Sequence, residues 1–213
     1  GASSELGQNY VHLGFRTPRG WQRFRQPKHH RWCLDGPQLR QYHLTRALDP
    51  GRRWWEAIEL PPRTVEIIDL GNGATTAPLV CEDLARMDEV ADVLRRIGPT
   101  LVMALLLDGP QLPQRWPCRY ATVLADEPGS AVMTLTSLGM ALRSQPPGTR
   151  RSRVVAMWSD PTGGLRQIAL DPGASAVLLR AAVELKTVWT ADGRRHERST
   201  PSITLSEIHQ LKG

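Results

Sequence analysis

Ala77-Pro78-Leu79-Val80-Cys81-Glu82-Asp83-Leu84 is the stretch on which the fold turns. An apolar run, short enough for a buried strand, ends on a cysteine. Two acids follow. Then apolar Leu84, Met87, Val90, Ala91 and Leu94 recur at spacings of three and four, which predicts a helix over 83–97, stopped by Gly98-Pro99. A strand-to-helix junction presents a side chain at the end of a sheet. Helix-start N–H groups favour negative charge there, so Cys81 is a candidate nucleophile. The plainer alternative is a small core cysteine, with Asp83 serving only as the helix N-cap.

Outward from that junction the pattern stays mixed. Upstream, 64–70 is rich in β-formers and Gly71-Asn72-Gly73 is a tight-turn signal, so a hairpin with 77–81 is expected. Downstream, 100–107 reads as a buried strand stopped by Asp108-Gly109-Pro110. A helix over 115–125, a strand over 131–135, a polar loop over 144–153 and strands over 154–159 and 165–170 come next. Residues 174–190 suit strand or helix. From 191 a polar tail is expected, with a short amphipathic piece at 203–211. At the other end, 10–15 carries a short strand signal, whereas 28–63 has no clean period and reads as a long, partly ordered excursion. Strands alternating with helices, the buried strands nearly all apolar, predict a layered α/β domain. There is no internal repeat.

Composition sets outer limits. The chain has 213 residues, 40% hydrophobic and 23% charged, which is ordinary globular usage and long enough for a real core. The longest strongly apolar run, Leu101 to Leu107, is about seven residues, against the ~20 that a membrane-spanning helix needs. No secretory signal opens the chain, and Gly1-Ala2-Ser3-Ser4 reads as an internal boundary. Three dispersed cysteines, Cys33, Cys81 and Cys118, argue against a disulfide framework and a structural zinc site. A reducing, cytoplasmic setting is expected. Net charge is +6, which permits nucleic-acid contact without establishing it.

Other residue groups carry weaker signals. Lys28, in Gln26-Pro27-Lys28-His29-His30, would stabilise a thiolate if it lay near one, though most lysines are solvated. Adjacent histidines rarely face one ion, so no metal is expected, and no cofactor is implied. Arg115, Trp116, Arg119 and Tyr120 form a basic–aromatic cluster of the kind that grips nucleic acid, or packs a helix and pairs with Asp126 or Glu127. The arginines at 150–153 and 194–198 read as solvated loops.

Together these residues resemble the carbon–nitrogen hydrolase (nitrilase/amidase) superfamily. Leu79-Val80-Cys81-Glu82-Asp83-Leu84 resembles the family's strand–Cys–acid–helix junction, and Gln26-Pro27-Lys28-His29-His30 its lysine motif. The strand ending at Asp108-Gly109-Pro110, the Arg115–Ala121 helix, Thr136-Ser137-Leu138-Gly139 and Ser159-Asp160-Pro161-Thr162-Gly163-Gly164 follow in the family's order. The likeness covers roughly residues 1–190. It implies a four-layer α-β-β-α sandwich that pairs protomers into a homodimer. It also implies hydrolysis of a non-peptide amide or nitrile through a thioester on Cys81, with Lys28 as triad lysine. Glu56 stands in place of a supporting glutamate; Glu82, Asp108, Trp116 and Arg119 are the substrate-binding candidates. The triad glutamate has no match: Glu5 is the only upstream glutamate, in a polar opening, and the first strand–helix–strand of the fold is missing. The chain therefore reads as a single nitrilase-like domain, the C-terminal part of a larger protein. The rival reading is a catalytically inactive accessory domain that binds nucleic acid or a protein partner.

Overall fold

The computed structural model describes residues 6–17, 20–86, 90–148, 150–162, 164–196 and 199–213. Its elements, in chain order, are β1 (Tyr10–Thr17), β2 (Gly20–Pro27), β3 (Cys33–Leu34), α1 (Gly36–Gln41), β4 (Trp54–Trp55), β5 (Ile68–Gly71) and β6 (Ala74–Val80). A 3₁₀ turn (Cys81–Ala85), α2 (Val90–Ile97), β7 (Leu101–Leu106), α3 (Trp116–Asp126), β8 (Ala131–Thr136) and α4 (Leu138–Arg143) follow. The chain then runs through β9 (Val154–Asp160), β10 (Gly164–Ala169), β11 (Ala174–Lys186) and β12 (Thr200–Lys212).

A six-stranded mixed sheet in the order β10-β9-β8-β7-β6-β5 organises the molecule. Its centre, β6-β7-β8, is parallel, and its flanks are antiparallel. The expected β5–β6 hairpin forms around Asn72 and Gly73, whose φ values of +53° and +77° are those of a primed two-residue turn. Parallel neighbours need crossovers, and α2 and α3 occupy them. Leu84, Leu94, Ala121 and Leu124 bury against Leu79, Val102, Ala104 and Met157 on one sheet face. Ile203 and Leu205 of β12 bury against Ala131, Ala156, Trp158 and Ile168 on the other, each side chain contributing roughly 1.5–3 kcal/mol.

Several expectations change. The helix over 83–97 is broken into a 3₁₀ turn and α2, with 87–89 outside the described residues. Leu138 and Gly139, which the resemblance places in a turn segment, instead begin α4, capped by the Ser137 side chain accepting from Met140 N–H (3.2 Å). The open choice over 174–190 resolves as a strand through Lys186, and within the expected polar tail Thr200–Lys212 forms its antiparallel partner β12. Val177 and Leu179 of β11 pack against the cluster that buries Ile203 and Leu205 of β12, and this packing outweighs the helix-favouring alanines of 174–182. Among the described residues the architecture is mixed α/β, a large central sheet with α2 and α3 packed on one face and β11–β12 on the other.

Candidate active site around Cys81

Cys81 sits where β6 ends and the chain turns, at φ +50°, a left-handed value that costs a residue with a Cβ roughly 1–2 kcal/mol. The sheet imposes it: Val80 is still paired with Leu105 of β7, and the 3₁₀ turn starts at the next residue. The side chain is 7% exposed. It lines a cavity of about 420 Å³ whose polar members include Asn9, Lys28, Glu56, Thr136 and Ser137. The remainder of that wall is largely apolar, with Val11, Val80, Leu105, Leu106 and Leu135.

Lys28 is only 1% exposed, and its ammonium pairs with Glu56. A buried ammonium without a counter-charge would be strongly disfavoured, so the pair is what lets a lysine occupy this position. Glu56 also accepts from Trp32 N–H (2.7 Å) and Asn9 Nδ2 (3.3 Å). The Lys28 segment is stitched down on both sides. Gln26 takes Glu66 N–H (2.8 Å) and gives to Thr64 O (2.8 Å). Asp83, two residues past Cys81, accepts from His29 N–H (3.1 Å), His30 N–H (3.0 Å) and His30 Nδ1 (2.9 Å). Asp83 is thus the clasp between the lysine segment and the cysteine turn rather than a helix cap.

Burial pushes the Cys81 thiol above its ordinary range. Lys28 and the Leu107 N–H pull it down, while Glu56 and Asp108 add to the rise. Burial wins, so the resting group is the thiol. Glu82 is raised as well, first by burial, with Arg86 and Lys28 opposing.

A second cavity, about 240 Å³, shares Trp32, Cys81 and Leu107 with the first and adds Tyr42, Glu82, Asp108, Trp116 and Tyr120. Asp108 Oδ1 accepts from Tyr42 O–H (2.7 Å) and Arg115 Nη2 (2.6 Å), whereas its Oδ2 is buried without a partner among the described residues. Burial, with Asp108 next, drives the Tyr42 phenol upward. Gly109 leaves room for this arrangement: a Cβ there would lie 2.4 Å from Ser144 Oγ and 3.0 Å from the Arg115 guanidinium, and those side chains would have to shift.

The structure therefore gathers Cys81, Lys28 and Glu56 at one cavity and Glu82, Asp108 and Trp116 at its neighbour. Arg119 is exposed and lines neither, while Trp116 and Tyr120 pack partly buried against the core. Glu5 lies outside the described residues. Sequence reasoning missed Asn9, Trp32 and Tyr42, which sit in stretches without periodicity, and the clasp role of Asp83, which the cap reading concealed.

The chain matches no protein-family model and no curated protein. Solved structures do match. One is a glutamine-dependent NAD+ synthetase from Acinetobacter baumannii in complex with ADP, at 13% identity and a TM-score of 0.44, over 76% of this chain and 29% of that one. Another is a mutant of the Nesterenkonia AN1 amidase from the nitrilase superfamily, at 16% identity and a TM-score of 0.38, over 55% and 42%. The chain thus spans less than half the length of either.

Proposed function

We propose that this chain is a carbon–nitrogen hydrolase-like domain that opens a non-peptide amide or nitrile through a thioester on Cys81. The observation that supports it best is the shared cavity, where a strained cysteine at a strand end meets a buried lysine fixed by a glutamate. In this reading the Cys81 sulfur attacks the amide carbon as its proton is relayed to the amide nitrogen. The C=O electron pair moves onto oxygen, where the Lys28 ammonium stabilises the charge. Collapse breaks the C–N bond, the amine leaves with a proton, and water cleaves the thioester to the acid. Glu56 orients Lys28. The apolar wall of Val11, Leu105 and Leu135 suits an apolar acyl group. The four-layer sandwich, pairing of two copies and a cytoplasmic setting belong to the same proposal.

Among the described residues, each carboxylate lining a cavity with Cys81 is engaged: Glu56 by Lys28, Glu82 by Arg86 (3.2 Å), Asp108 by Arg115 and Tyr42. Water activation by this chain alone is therefore slow, and an acyl group delivered to Cys81 persists. Mass mapping after exposure to an activated acyl ester tests this. One acyl group on the Cys81 peptide, absent in Cys81→Ala, is expected. Acylation of Cys33 with none on Cys81 contradicts the reading. That result would favour a catalytically inactive accessory domain, to which the raised Cys81 thiol also lends support.

A further inference from the structure

The β1–β2 hairpin sorts its side chains by face. Register pairs His12 with Arg25, Gly14 with Arg23 and Arg16 with Trp21, so these residues and Tyr10 share one face. All of them are exposed. Val11, Leu13, Phe15, Phe24 and Gln26 take the opposite, more buried face. Residues 10–27 contain no aspartate or glutamate. Neither Arg16 nor Arg23 has an ion-pair partner among the described residues. Trp21 is 68% exposed and its ring lies across the backbone of Gly14, where a Cβ would come within 3.5 Å of it. Most of the indole is thus open to solvent. Arg25 lies over Tyr10, its guanidinium carbon 4.0 Å from the ring centroid. Gln8 separates this cation from Glu59, accepting from Arg25 and donating to the carboxylate (3.2 Å).

From this geometry we infer that the exposed face of the β1–β2 ribbon binds single-stranded nucleic acid. Arg16 and Arg23 meet phosphates, while Trp21 and the guanidinium plane of Arg25 stack on bases. Each feature selects against an alternative. Cations without acids select a polyanion. A flat, uncovered indole selects a partner with accessible π-faces, which unstacked bases offer and a duplex hides. This surface is separate from the Arg115–Tyr120 cluster, and only Tyr10 at its end also lines the Cys81 cavity.

Fluorescence anisotropy of the whole chain with labelled oligo-dT and oligo-rU tests it, with unlabelled competitors and thermal melts as a folding control. With two or three phosphates neutralised, the log–log salt slope should be about −1.5 to −2. R16E/R23E should weaken binding at least tenfold, and Trp21→Ala by roughly fivefold or more. DNA and RNA arms of equal strength point to backbone and stacking contacts; a stronger RNA arm adds a 2′-hydroxyl contact, and both outcomes support the inference. Three outcomes overturn it: R16E/R23E binding like the parent chain, Trp21→Ala binding like the parent chain, or heparin or a polyglutamate peptide competing as well as the oligonucleotide.

Discussion

The two sides of the Cys81 cavity are built by different means. The sulfur side is part of the sheet: Cys81 follows a strand whose ladder to β7 runs from Thr76↔Leu101 to Val80↔Leu105, with the α2–α3 core beneath it. The lysine side is a stack of short elements, two-residue β3 and β4 and the ends of β1–β2, held by polar contacts across 28 to 54 residues. Position on the first side comes from apolar packing and a backbone ladder. On the second it comes from a buried ion pair and a carboxylate accepting several N–H groups. The first should tolerate conservative change; the second should fail abruptly when one polar partner is lost.

That contrast can be broken most readily at Glu56. Glu56→Ala leaves the buried Lys28 ammonium unpaired, and a loss of about 3 kcal/mol in urea unfolding is expected. A loss below about 0.5 kcal/mol, the size of an exposed pair, would place Lys28 in water instead.

On the sheet side the expected effect is smaller. Cys81→Ala keeps a Cβ at φ +50°, whereas Cys81→Gly releases it, so the glycine variant should be the more stable of the two by about 1 kcal/mol. An alanine variant as stable as the glycine one would show that the turn carries no strain.

This difference in construction also sets what could be read from the sequence. Strands β6 to β10 and the cysteine junction were legible because near neighbours write them: apolar runs, Gly-Asn-Gly, Gly-Pro and Asp-Gly-Pro stops. Lys28 was legible only as a motif beside a resemblance. Its pairing with Glu56 depends on the excursion over 28–63, which has no period to read. Asp83 was visible but misassigned, since a carboxylate next to a helix start looks the same whether it caps that helix or clasps a distant loop. Strand β12 was hidden by its polar faces; only its partner β11 and the sheet beneath give Ile203 and Leu205 something to pack on. The helical break after Ala85 was masked by continuous apolar spacing across it.

Lys28 and Cys81 share one electrostatic site, in which burial holds the sulfur protonated and the ammonium draws it toward ionisation. The most direct measurement is the pH profile of iodoacetamide alkylation at Cys81, followed by peptide mass, in the parent chain and in Lys28→Met. In the parent chain the rate should still be climbing at about pH 8.5, where an ordinary thiol is half ionised. Removing the cation should shift the profile to still higher pH and lower the rate at neutral pH. Superimposable profiles for the two proteins, or a parent profile that levels off below neutral pH, would contradict the account.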